Sequence, residues 1–220
     1  PEVVWAMPPQ GTINFHASLL PQFRGAAPIQ RAIMQGASES GATIFRLAHK
    51  IDTGNILQKL KLKIGPNENS GSLQDRILNA GKKLLVASLD SIADGNEIET
   101  PQSDLIEGEL LEAPKIFKED RRIDWNMKTI EIHNQIRGLC PYPGAFTTVS
   151  GGENTPYKIL ESQPAKLLLD AGVIKIESNR MYVGTSNGSL EILRIQPAGK
   201  SVMEAGAFVL GVRDELTQFS

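Results

Sequence analysis

The chain has one cysteine, Cys140, in 220 residues. No internal disulfide can form, paired-cysteine zinc sites are excluded, and a lone thiol fits a reducing compartment. The three histidines, His16, His49 and His133, follow no metal-ligand spacing, so no metal site is predicted. No apolar run approaches the roughly 18 residues that a membrane-spanning helix needs. Nor is there a signal-like apolar segment, and the chain is expected to be cytoplasmic with no membrane partner. Gly-x-Gly-x-x-Gly and phosphate-loop strings are missing, which leaves a nucleotide cofactor without support. Internal repeats and low-complexity tracts are absent as well.

Charge of one sign is also scarce. A formal net charge of −2 argues against wholesale wrapping of nucleic acid, though a local basic face stays possible. Residues up to Glu112 hold 10 basic and 13 acidic side chains, and the remainder 13 and 12, net −3 against +1. That contrast favours an RNA-facing second part only weakly; ordinary surface scatter explains it equally well. With 40% apolar and 22% charged residues the composition is that of a soluble globular protein of one or two domains.

The most informative stretch is Ile13 to Pro28. Asn14, His16 and Ser18 recur every second residue, which on an extended strand gathers an amide, an imidazole and a hydroxyl on one face. Ile13, Phe15 and Ala17 fall on the other. An antiparallel surface strand also alternates in this way, so alternation by itself leaves that reading open. The residues after the strand are more specific. Leu19-Leu20-Pro21 breaks it, Arg24-Gly25 makes a loop, and a helix begins near Pro28, whose missing N–H costs little in a first turn. Strand, loop and helix in this order is how α/β enzymes hold ligands at strand ends.

Further strands are predicted over 41–47 and 55–64, the second alternating lysines with apolar residues as an edge or antiparallel strand does. A long helix is predicted from Ser72, with Asp75 as a capping-box-like partner, to a stop at Gly95. The acidic, proline-bearing run 97–117 reads as an interdomain linker, dividing a first domain, 1–96, from a second, 118–220. In the second, a helix over 128–139 and short strands near 145–149, 157–161, 173–177, 181–185 and 190–195 suggest a small β-barrel. Ser186-Asn187-Gly188 makes its clearest hairpin turn.

The string Asn-x-His-x-Ser-Leu-Leu-Pro-x-x-Arg-Gly-Ala-Ala-Pro-Ile-Gln over 14–30, together with Ile51-Asp52-Thr53-Gly54-Asn55-Ile56, closely resembles the folate-dependent formyltransferases. The resemblance continues through Arg122-Ile123-Asp124-Trp125 and His133 to Phe146, and so covers most of the chain. It implies an α/β fold: the C-terminal half of a Rossmann-like catalytic domain, then an OB-like β-barrel. A nucleotide-fold half-domain precedes the Asn-x-His strand in that family, whereas only residues 1–11 do so here; the sequence reads as truncated at its N-terminus.

The resemblance also implies roles. Asn14, His16 and Asp52 match the family's functional trio position for position, and Ser18, Leu19, Leu20 and Pro21 match the segment lining its folate site. The implied co-substrate is 10-formyltetrahydrofolate. The wording of residues 25–30, and Gly199-Lys200 followed by a late helix-like segment, favour members that formylate the amino group of initiator methionyl-tRNA, and the full-length protein is expected to be a monomer. Relatives that formylate a small amine or hydrolyse formyl-folate share the trio, and a fragment that only binds RNA is a third reading.

Chemically the trio makes sense. Formyl transfer to an amine passes through an oxyanion, which the Asn14 carboxamide can stabilise. Imidazole exchanges protons near neutral pH, suiting His16 to relay one from attacking to leaving nitrogen. A carboxylate such as Asp52 would stabilise the imidazolium, provided the fold brings the two together. Each residue also has an ordinary explanation, since Asn and Asp-Thr-Gly are common in turns. Arg24 is expected to fix its loop rather than reach an anionic substrate.

Overall fold

The computed structural model describes residues 2–150, 155–211 and 217–220. They form two compact units, the first from residues up to 32, 37–68 and 72–115, the second from 33–36, 69–71 and 116–220.

The first unit is built on three strands, β1 (Ile13–His16), β2 (Glu39–Arg46) and β3 (Ile56–Lys63), in the order β1-β2-β3. Both ladders are antiparallel, pairing His16 with Thr43 and Ala42 with Leu60. The parallel ladder of a doubly wound sheet is therefore not formed by these strands. β2 is central, and every residue from Ser40 to Phe45 is buried. β3 is the edge strand that its lysines predict: Lys59, Lys61 and Lys63 are exposed while Leu60 and Leu62 are half-buried.

The alternation expected to run through Ser18 stops at His16. Thr43, opposite His16, turns the chain there: its hydroxyl donates to the Ser18 carbonyl at 2.7 Å and accepts from the Leu20 amide at 3.1 Å. Leu20 then drops into a core with Phe45 and Ile56. Three helices accompany the sheet: α1 (Glu2–Trp5), α2 (Pro28–Met34) and α3 (Ser70–Ala93). α3 starts two residues before the predicted Ser72 and ends as predicted, with Gly95 at φ +66°. Gly81 of α3 faces the ring of Phe15, where any Cβ would overlap it.

The segment predicted to be a linker is fastened down over much of its length. Thr100 exchanges two 2.8 Å main-chain bonds with Ile56. The Phe23 amide donates to Leu111 O at 2.6 Å, and the Ala113 amide to Arg24 O at 2.7 Å. Ala113 is fully buried with Phe23 and Ala32. Its acidic, proline-bearing composition gives no sign of this pairing, which uses main-chain groups that composition does not reveal.

In the second unit α4 (Thr129–Leu139) carries Ile132, Ile136 and Leu139 into the core, each with no exposed surface. Each such burial stabilises the fold by about 1.5–3 kcal/mol. Its first turn is closed by the Lys128 amide donating to Glu131 Oε2 at 3.0 Å. Strands β4 (Ala145–Thr147), β5 (Tyr157–Ala165), β6 (Ile174–Glu177), β7 (Arg180–Thr185) and β8 (Gly188–Pro197) form a sheet in the order β4-β5-β8-β7-β6. β9 (Met203–Glu204) pairs with β8 and leads into α5 (Ala205–Gly211). Two-residue hairpins join β6 to β7 and β7 to β8. The first uses Ser178 and Asn179, both at positive φ, a turn unmarked by any glycine.

The expected barrel is not closed among the described residues. β4 and β6 end the strand path, and the C-terminal residues reach each side through isolated bridges, Val149 to Phe219 and Val173 to Gln218, with hydrogen bonds beside them. Phe219 stacks on Trp125 at 5.9 Å between ring centroids. Trp125 in turn donates through its indole N–H to Thr147 at 3.0 Å. Among the described residues no helix is long and apolar enough to cross a membrane.

Candidate active site

His16 is the last residue of β1, with only 7% of its side chain exposed. Its ring lies edge-on to Phe45 of the neighbouring strand, with centroids 6.4 Å apart. The chain then loops through Ser18 to Gly25, and this loop supplies the partner of one ring nitrogen: His16 Nε2 stands 2.8 Å from the carbonyl oxygen of Phe23. Phe23 adopts φ +59°, a conformation that costs a bulky residue about 1–3 kcal/mol. Burial of its ring and the Leu111 contact hold it there.

The other nitrogen, Nδ1, faces Asp52 Oδ2 at 3.6 Å, within ion-pair range and longer than a hydrogen bond. Asp52 lies in the loop between β2 and β3 at φ +52°, a left-handed conformation that aspartate tolerates better than most residues. The same Oδ2 accepts a hydrogen bond from the Gly25 amide at 3.0 Å. Its side chain is 12% exposed, so the pair sits where solvent screens it weakly. A carbonyl oxygen can only accept, so Nε2 is the donor in the Phe23 contact.

Asn14 precedes His16 by two residues on β1 and shares its face by the alternation of the strand. It is half-buried, and its carboxamide has no hydrogen-bond partner among the described residues. Of the four residues matched to a folate-lining segment, Ser18 and Leu20 are fully buried and Pro21 is buried too. The Ser18 hydroxyl donates to Gln22 O at 2.7 Å, leaving Leu19 as the one whose side chain is half-exposed. The predicted residues are thus brought together in two groups: the His16–Asp52 pair beneath the loop, and the loop itself.

Sequence reasoning missed three members. Thr43 pins the loop, Gly25 aims its amide at Asp52, and Gln102 joins Arg24 to the Asp52 loop, with Arg24 Nε and Nη2 donating to Gln102 Oε1 at 3.0 and 2.6 Å. No local signal marks Gln102, which stands in the irregular acidic run. Arg24 is committed to that loop-fixing contact, as expected. Among the described residues no group of three or more His, Cys, Asp or Glu side chains could hold a metal ion.

The chain has counterparts among known proteins. The family model described as "Formyl transferase" matches residues 1–89, and "Formyl transferase, C-terminal domain" matches 115–213. The methionyl-tRNA formyltransferase of Phocaeicola vulgatus is 42% identical over 97% of this chain and 68% of its own length. That of Azobacteroides pseudotrichonymphae is 43% identical over 96% of the chain and 68% of its own length. Among solved structures, HypX from Aquifex aeolicus in complex with tetrahydrofolic acid shares the fold at a TM-score of 0.72 and 19% identity, over 99% of this chain and 38% of that one. The sugar 3N-formyl transferase WlaRD does so at 0.63 and 24%, over 86% and 66%. The chain belongs to the formyl transferase family, with methionyl-tRNA formyltransferases as its relatives over nearly its whole length.

Proposed function

We propose that this protein transfers the formyl group of 10-formyltetrahydrofolate to the amino group of methionyl-tRNA in the cytoplasm. The observation that carries the reading is the buried pair of His16 and Asp52, 3.6 Å apart and anchored by Gly25. The amine nitrogen bonds to the formyl carbon, an oxyanion develops, and the bond from that carbon to the folate nitrogen then breaks. The Asn14 carboxamide donates to the oxyanion. His16 takes the proton that the amine loses and returns it to the departing nitrogen, and Asp52 stabilises the imidazolium that exists in between. For this His16 Nε2 exchanges the Phe23 carbonyl for the substrate.

The folate ring is assigned to the loop of Ser18, Leu19, Leu20 and Pro21. With Ser18 and Leu20 turned inward, Leu19 and main-chain groups are what the loop offers to a flat heteroaromatic ring. An OB-like description of the second unit is supported by its five-stranded path with bridges near both ends, and this unit is proposed to hold RNA. Mass-spectrometric detection of formyl-methionine on initiator tRNA is the expected result in the presence of formyl-folate. Formylation of a sugar amine alone would reject the tRNA acceptor.

A further inference from the structure

Gln102 opens a short 3-10 helix, Gln102–Leu105, and is 3% exposed. Its carboxamide is saturated. Oε1 accepts from Arg24 Nε at 3.0 Å and Arg24 Nη2 at 2.6 Å, while Nε2 donates to Asp52 O at 2.9 Å and Gly54 O at 2.8 Å. Those four bonds are all that an amide group can make. They also fix its orientation: a guanidinium only donates, so the oxygen must face Arg24 and the nitrogen must face the two carbonyls.

The bonds close a circuit. Arg24 holds Gln102, Gln102 holds the backbone of Asp52, and the Asp52 carboxylate accepts from Gly25, the residue after Arg24. Asp52 is thus located twice, once by its main chain and once by its side chain. Its left-handed backbone needs such support. A cavity or unpaired polar group in place of Gln102 would let the Asp52–Gly54 turn relax and carry the carboxylate away from His16.

We infer that Gln102, oriented by Arg24, is a positioning residue that sets the Asp52 carboxylate against the His16 imidazole. The inference rests on the formyl-transfer reading for its kinetic readout only.

The test compares Gln102→Leu and Gln102→Glu in the full chain. The glutamate keeps an acceptor for Arg24 but has no N–H for the two carbonyls, so both variants should behave alike. Turnover should fall on the order of 100-fold, the loss that a misplacement of about 1 Å brings, with the KM for formyl-folate little changed. Because the carboxylate then faces the ring differently, the pH–rate profile should move as well, a readout that a loss of folded protein alone leaves unchanged. Native turnover and profile in Gln102→Leu would overturn the inference. So would a fall in turnover matched by the same fall in folded fraction, with the profile unmoved. NMR of the His16 ring nitrogens in substrate-free protein reads the coupling independently of any activity. A changed titration there without detectable formyl transfer would sink the proposed reaction and leave the positioning role standing. An unchanged titration would sink the positioning role.

Discussion

His16 Nε2 donates to the carbonyl of Phe23 across 2.8 Å, so the loop that follows β1 folds back to occupy the imidazole at its strand end. Beside it, Asp52 occupies the other nitrogen. The ring is held on both sides, and proton transfer to a substrate requires the Phe23 contact to be exchanged. In the proposed reaction, replacing the ring removes the proton relay. His16→Ala is expected to lower turnover by about 10²–10⁴-fold, and Asp52→Asn to do so less completely, with circular dichroism unchanged. Near-native turnover in either variant removes that residue from the mechanism.

In the proposed reaction Asn14 supports the oxyanion, and its carboxamide bonds to no described residue. Asn14→Ala should therefore cost on the order of 10²–10³ in kcat while the thermal midpoint hardly moves. A rise in KM with kcat preserved would point to substrate binding instead.

Gly25 has φ +124°, and a Cβ there would lie 2.5 Å from the carbonyl oxygen of Ala113. Gly25→Ala must shift the loop away from the 111–113 segment and with it the amide that anchors Asp52. We expect a loss of stability on the order of 1–3 kcal/mol, read by chemical unfolding, and a fall in turnover at a pH where the native protein is fully folded.

In the second unit Glu191 is nearly buried and accepts from Arg180 Nε at 2.6 Å and from Gln163 at 2.8 Å. The hydrogen bond from the Arg180 guanidinium holds its carboxyl below the usual carboxylate range, against the opposing effect of burial. A depressed carboxyl stabilises the fold fully above its unfolded value, about 4.3, and loses that contribution as pH falls through the lower folded value. Glu191→Gln is expected to lower the thermal midpoint at neutral pH and to converge on the native protein in strong acid. A difference that stays constant across that range would show that Glu191 acts through packing instead.

Much of this was written locally. The spacing of Asn14 and His16 put both on one face of a strand, the lysines of β3 marked an edge, Gly95 marked the end of α3, and the 14–30 string carried the family. Such features are legible because strand alternation, helix capping and turn chemistry depend on neighbours a few residues apart. The meeting of Asp52 with His16, the return of Gln102 and Ala113 to the loop, and the open path of the second sheet belong to the tertiary structure alone. They depend on main-chain hydrogen bonds and buried amides between distant segments. Every residue but proline carries the same backbone groups, so the sequence does not mark which of them will pair.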